Sequence, residues 1–332
     1  MTATPVAAGA KDPGRLGGWP RIVVALLVAV VLTLTVMREP DRPLAALVTR
    51  WATAPSMFVD VGGLRVHVRD AGPRDDPTPV VLVHGTSASL HTWEGWVKVL
   101  AAERRVISFD LPGFGLTGPN AKGDYRGDSY ARFVLELLDA LKVQRFAIGG
   151  NSLGGEVAWR TAAMAPARVA KLVLVDASGP AFEPLSMPLG FRLARVPMLN
   201  RLTEYLLPRS VVEASVRNVY GDPSRVTPEL VDRYFELTLR EGNRHALAQR
   251  FAQSGEPGER GREAEARIAQ LSLPTLILWG ERDRLIPVTV SDTFERVIKG
   301  SQLVRFPELG HVPQEEDPAA SVQPVKAFLA LP

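Results

Sequence analysis

The stretch Arg145-Phe146-Ala147-Ile148-Gly149-Gly150-Asn151-Ser152-Leu153-Gly154-Gly155 decides the fold. A short apolar run enters Gly150-x-Ser152-x-Gly154, and Glu156-Val157-Ala158-Trp159-Arg160 continues as a helix. The pattern is strand, sharp turn, helix, with a serine at the apex. Such a turn lifts the hydroxyl out of the sheet on a strained backbone. Glycine at 150 and 154 removes the Cβ that would block so tight a turn.

A serine hydroxyl is a weak nucleophile at neutral pH. It needs a base within hydrogen-bond reach, and the base needs an orienting acid. Of the five histidines, His311 is placed for this, on a loop just past the strand-like run Gln302-Leu303-Val304-Arg305-Phe306. Pro274-Thr275-Leu276-Ile277-Leu278-Trp279 reads as a buried parallel strand that runs into Gly280-Glu281-Arg282-Asp283. Asp283 is the candidate acid, carried by the sheet to the same edge as Ser152; Glu281 is the alternative. Asp283 also has a plainer reading as an ion-pair partner of Arg282 or Arg284.

The chain order is therefore Ser152, Asp283, His311: nucleophile, acid, base. In this the chain resembles the α/β-hydrolase superfamily, over about residues 56 to 330. The resemblance rests on five motifs in order: Val80-Val81-Leu82-Val83-His84-Gly85-Thr86, Asp110-Leu111-Pro112-Gly113-Phe114-Gly115, the serine turn, Gly280-Glu281-Arg282-Asp283 and Gly310-His311-Val312-Pro313. Within the superfamily it is similar to the branch of esterases and meta-cleavage-product hydrolases with a helical cap. Relatives that open epoxides or remove halide carry aspartate where this chain has Ser152, so those reactions are set aside.

Acyl transfer builds negative charge on a carbonyl oxygen, which pre-aimed backbone N–H groups stabilise. The N–H of Leu153, the residue after the nucleophile, is one expected donor. The resemblance implies Thr86 as the other, with Ser87 nearby, and His84 as a structural brace of that loop. His67 lies in the alternating run Leu64-Arg65-Val66-His67-Val68-Arg69 and reads as structural. His91 either lines the pocket or starts a helix, and His245 lies in a variable region where substrate contact is open. Asp110 is expected to hold the Pro112-Gly113 turn.

Continuous apolar runs at 80–83, 106–109, 146–149, 172–176, 275–279 and 303–306 fit a mostly parallel sheet buried on both faces. Helices are expected over 93–103, 130–141, 153–164, 290–298 and 319–329. The fold class is α/β: an α/β-hydrolase fold with helices on both faces of the sheet. The beat breaks between 179 and 271, where Thr227-Pro228-Glu229 marks a helix start. By resemblance this is an inserted helical cap. Its first part is apolar (Phe182, Leu185, Met187, Phe191, Leu193 and Met198 among others) and either lines an acyl pocket or packs on the core. Residues 255–267 are charged and read as solvated. Arg192, Arg195 and Arg244 are candidates to hold a carboxylate, each with surface solvation as the plainer reading.

The N-terminus divides into a tail (1–21), an apolar segment (22–37) and a proline-containing linker (38–55) with a short interfacial turn at 44–51. The core follows at 56–178 and 272–332, with the cap at 179–271. The sixteen uncharged residues 22–37 are expected to form a transmembrane anchor, short against a ~30 Å hydrocarbon core. A cleaved signal peptide and a peripheral helix are the alternatives. The expected location is a bacterial inner membrane with the enzyme facing the periplasm.

The chain has 332 residues, 46% of them hydrophobic, and a net charge of only +3. That is room for one large α/β domain with an insertion, and no basic stripe or phosphate loop suggests nucleic acid or nucleotide. With no cysteine, disulfides and thiolate chemistry are excluded. No cofactor and no metal site is expected. The leading expectation is a membrane-anchored serine hydrolase cleaving hydrophobic or lipid-like carboxylic esters. A carbon–carbon bond hydrolase of the meta-cleavage-product type shares the Gly-Asn-Ser-x-Gly-Gly turn, yet typically has a glycine-rich loop after His-Gly and a Trp after the base, where this chain has Thr86-Ser87-Ala88-Ser89 and Val312. A non-catalytic tethered binding protein is the third reading.

Overall fold

The computed structural model describes residues 18–36, 38–196, 205–255 and 257–330. The chain forms two units, Met1–Arg38 and Glu39–Pro332. In the second, eight strands make one sheet: β1 (Ser56–Val61), β2 (Leu64–Ala71), β3 (Val80–Val83), β4 (Val106–Phe109), β5 (Phe146–Asn151), β6 (Val169–Val175), β7 (Thr275–Gly280) and β8 (Gln302–Phe306). Their order is β1-β2-β4-β3-β5-β6-β7-β8. Strands β1, β2 and β4 pair antiparallel, and every pairing from β4 to β8 is parallel.

Side-chain alternation splits each central strand between two cores. Val81, Val83, Ile107, Phe109, Ile277 and Trp279 face one apolar cluster, shared with helices Gly127–Ala140, Leu153–Met164 and Thr289–Val297. Val80, Leu82, Val106, Leu276 and Leu278 face the other, closed by Trp93 and Trp96, by Leu100, and by Val322, Val325 and Phe328 of helix Pro318–Ala330. Burial on both faces is why these strands read as unbroken apolar runs.

The segment after β6 forms the cap helices Leu189–Arg195, Arg209–Val219, Pro228–Thr238, Asn243–Ala252 and Pro257–Ile268. Thr227 caps the third as expected, its side-chain oxygen accepting from the Leu230 N–H at 3.2 Å. Helices Arg209–Val219 and Pro228–Thr238 share a small core of Val212, Val216, Val231 and Phe235 that also takes in Val312, next to the candidate base. Met198 of the apolar stretch lies outside the described residues. The stretch 38–55, read as a linker, contains a helix, Leu44–Trp51, whose Leu47 is buried with Leu116 and Leu237. Trp51 Nε1 donates to Glu236 at 2.7 Å, and Arg50 pairs with the same carboxylate.

In the first unit, Gly18–Val36 is helical. The expected transmembrane anchor needs correction, because among the described residues no helix is long and apolar enough to cross a membrane. The first turn is spent on Gly18, Pro20 and Arg21. The apolar run that remains is about 22 Å at 1.5 Å per residue, short of the ~30 Å hydrocarbon core. Met37, the last residue of the expected anchor, lies outside the described residues.

Candidate active site

Ser152 follows the last residue of β5 and precedes helix Leu153–Met164. Its backbone stands at φ 56°, ψ −118°, a region closed to most side chains. The turn depends on its two glycines. A Cβ on Gly154 would lie 2.0 Å from the Val83 oxygen, and one on Gly150 2.0 Å from the Gly154 oxygen. The Ser152 N–H donates to Val175 O on the neighbouring strand at 3.0 Å.

Asp283 and His311 come from the loops after β7 and β8. Asp283 is fully buried, and its Oδ1 accepts the N–H groups of Leu285 (2.7 Å) and Ile286 (3.0 Å). Its Oδ2 lies 2.6 Å from His311 Nδ1. With Asp283 as acceptor on Nδ1–H, the free Nε2 is left to act as base. Glu281, the alternative acid, is solvent-exposed. His311 and Ser152 line one cavity. Among the described residues no hydrogen bond joins Ser152 Oγ to His311, and such contacts are often long in an unliganded site.

The loop after β3 runs beside the serine. A Cβ on Gly85 would meet Ser152 Cβ at 3.1 Å, and Thr86 lines the cavity. His84 is a brace: Nδ1 donates to Gly85 O at 2.8 Å, and Nε2 accepts the Leu111 N–H at 2.9 Å. Burial lowers its pKa, so it stays neutral. Asp110 ties three segments together. It accepts from the Leu90 and Leu116 N–H groups (2.7 and 2.8 Å) and contacts His67 Nδ1 at 2.7 Å. His91 bonds Ser89 Oγ and the Trp51 oxygen, away from the serine. His245 is exposed and does not line this cavity.

Three contributors escaped the sequence reading. Asn151 Nδ2 donates to Val175 O (3.1 Å) and to the main-chain oxygen of His311 (2.8 Å), joining serine turn and histidine loop. Glu316 accepts the N–H groups of Gly310 (2.8 Å), Gly221 (3.0 Å) and Asp222 (2.8 Å). Asp176, just past β6, is fully buried with φ 44°; its Oδ1 accepts the Gly280 N–H at 3.0 Å. Burial, and then the charge of Asp283, push its pKa well above the usual carboxylate range. Both causes favour its neutral form. Ligand atoms of Asp176, Asp283 and His311 lie within 4.8 Å of one another, a spacing that could hold a metal ion. The close Asp283–His311 contact and the Asp176 bond to the Gly280 N–H account for the same spacing without one.

The cavity over Ser152 measures about 110 Å³, and its lining is mostly apolar. Leu207, Val212, Val216, Leu247, Leu285 and Val312 supply much of the wall. Of the apolar stretch noted in the sequence, Phe191 lines it, while Leu185 and Val196 are exposed. Arg244 borders it, yet its guanidinium holds Asp41 at 2.6 Å and Glu39 O at 2.8 Å.

The chain belongs to the alpha/beta hydrolase fold family, whose sequence profile matches residues 78–318. It is 33% identical over 285 residues to a 2-hydroxy-6-oxo-2,4-heptadienoate hydrolase of Pseudomonas putida, covering 82% of this chain and 95% of that one. The structure of a meta-cleavage product hydrolase from Pseudomonas fluorescens superposes with a TM-score of 0.70 at 26% identity, covering 82% of this chain and 97% of that one. A thermophilic esterase from Thermogutta terrifontis gives 0.68 at 25%, covering 83% and 98%. The chain is thus a hydrolase of this fold.

Proposed function

We propose that this hydrolase works through an acyl-enzyme on Ser152 and that carboxylic esters of apolar acids are its substrates. The observation that carries the reading is the 2.6 Å Asp283–His311 contact beside a strained serine on the floor of an apolar cavity. His311 Nε2 takes the Ser152 proton as Oγ attacks the carbonyl carbon. Asp283 holds the ring and steadies the imidazolium. The N–H groups of Leu153 and Thr86 receive the oxyanion. His311 then protonates the leaving alcohol, and water releases the acid by the same base. No cofactor takes part in this route.

Carbon–carbon bond hydrolysis is the second reading, and the relatives support it better than they support ester cleavage. The dienoate hydrolase of P. putida and the P. fluorescens enzyme both carry that chemistry in their names. The two readings part in one experiment. Purified protein and Ser152→Ala are labelled with a fluorophosphonate, then offered an ester series of rising acyl length and a 2-hydroxy-6-oxo-dienoate. Serine-dependent labelling with ester turnover supports the first reading, and faster loss of the dienoate chromophore supports the second. Absence of both would move the chain to a binding role.

We further infer a membrane-surface location on the periplasmic side, with lipid-like esters within reach. Exposed apolar side chains on Gly18–Val36, such as Ile22, Leu26, Leu27 and Leu32, support it. Recovery of the full chain in the supernatant of membranes spun down at physiological salt, without a carbonate wash, would count against it.

A further inference from the structure

A second lobe opens beside Ser152. It has a volume of about 290 Å³ and shares Thr86, Ser152, Phe191 and Leu285 with the apolar cavity. Its chemistry is different. Arg195, Arg250 and Arg260, from three different cap helices, all line it.

Among the described residues none of these three arginines makes an ion pair, whereas Arg209, Arg217, Arg225, Arg233 and Arg267 in the same cap each hold a carboxylate. Arg195 and Arg250 both lie over the Phe251 ring, at 5.5 and 5.7 Å from its centroid. Arg250 Nε is buried with no hydrogen-bond partner, and Arg260 donates to Ser254 O at 3.2 Å. The buried carboxylate on the wall, Glu156, is committed to Arg160 at 2.9 Å; Glu183 stands exposed on the rim.

Arg250 and Arg260 are half-buried and Arg195 is exposed at the edge of the lobe; bringing guanidinium groups together where water is partly excluded costs free energy twice, through desolvation and through mutual repulsion. Both effects are visible: burial lowers the pKa of Arg250 and Arg195, and neighbouring arginines lower them further. An anion entering the lobe relieves both, and guanidinium groups bind phosphate and carboxylate in a charge-assisted, bidentate manner.

We propose that Arg195, Arg250 and Arg260 form a subsite for an anionic group, a phosphate or a carboxylate, on the leaving half of the substrate. The inference rests on the acyl-enzyme reading. With the scissile carbonyl over Ser152, an apolar acyl group fills one lobe and the leaving group enters the other. The substrate is then an amphiphile: an apolar acyl chain joined through a hydrolysable bond to an anionic fragment.

The test is a selectivity ratio. Hexanoyl esters of glycerol, glycerol 3-phosphate and 3-hydroxypropanoate share an acyl group and differ in leaving-group charge. The protein should favour an anionic ester over the glycerol ester in kcat/KM. Arg250→Gln and, separately, the less enclosed Arg260→Gln should cut that preference about tenfold, mainly through KM, as loss of a charge-assisted hydrogen bond does. Arg217→Gln, paired with Glu213 elsewhere on the cap, is the control. A loss confined to the phosphate ester assigns a phosphate subsite, and one confined to the carboxylate ester a carboxylate subsite. No preference in the native protein, or an equal ratio in all variants, overturns the proposal. If no ester is turned over and Ser152 is not labelled, the acyl-enzyme reading fails. Titration of glycerol 3-phosphate and 3-hydroxypropanoate into the native chain and Arg250→Gln then judges the subsite alone. Binding weakened by the substitution upholds it, and equal or absent binding overturns it.

Discussion

The side-chain amide of Asn151 donates to the main-chain oxygen of His311 at 2.8 Å, so the residue before the proposed nucleophile holds the residue proposed as its base. The same nitrogen reaches Val175 O on β6. Replacing Asn151 with Ala leaves the buried His311 oxygen short of its donor, at about 1–3 kcal/mol, while Val175 O keeps the Ser152 N–H. Asn151→Ala should unfold at a lower temperature and lose roughly tenfold in kcat, with a smaller change in KM. Unchanged kcat at full folding would show that the link does not position His311.

Asp176 and Asp283 end adjacent strands of the sheet, and burial together with the Asp283 charge disfavours ionisation of Asp176. Asp176 has the raised pKa, so the folded chain keeps a proton that the unfolded chain loses above about pH 4. Its contribution to stability is complete below that pH and declines as pH rises towards the folded value. Asp176→Asn should remove this decline while keeping the acceptor for the Gly280 N–H. Urea unfolding between pH 4 and 8 reads the difference; parallel curves for the two proteins would refute a protonated Asp176.

His91 gives the opposite slope. Burial brings its pKa from 6.5 down to about 4. The unfolded chain therefore takes up a proton first, and stability is lost as pH falls from about 6.5 towards 4. The full effect is about 3 kcal/mol. His91→Gln should flatten acid destabilisation in that window, measured by the same titration of unfolding free energy.

Gly154 has no room for a side chain. A Cβ there would sit 2.0 Å from the Val83 oxygen, a backbone atom that cannot swing aside. Gly154→Ala should either fail to fold or lose several kcal/mol of stability, on the scale of ~1–3 kcal/mol or more for a forced core clash. A variant of native stability would mean that the serine turn is looser than its geometry implies.

The core strands were legible because each is buried on both faces, and a strand with one face in water would alternate with polar residues instead of running through Val, Ile and Leu. Ser152, Asp283 and His311 were legible through the loops that carry them. The cavity wall was not. Val212, Val216 and Leu247 have ordinary helical spacing, and only the packing of the cap helices turns them towards Ser152. Asp176 was hidden for a different reason. One aspartate at a strand end gives no sign that its neighbour's charge will fall on it. The turn at 44–51 was expected, but the burial of helix Leu44–Trp51 was hidden because its partners, Leu116 and Leu237, lie far along the chain.

The Glu316 carboxylate takes N–H groups from both sides of a seam: Gly310 in the histidine loop, and Gly221 and Asp222 at the end of a cap helix. Across the same seam the His311 N–H donates to Val219 O at 2.8 Å. The cap cannot lift at this corner while its hinge to the base stays intact. Opening for a bulky molecule here would break the bonds that hold the His311 loop to the cap.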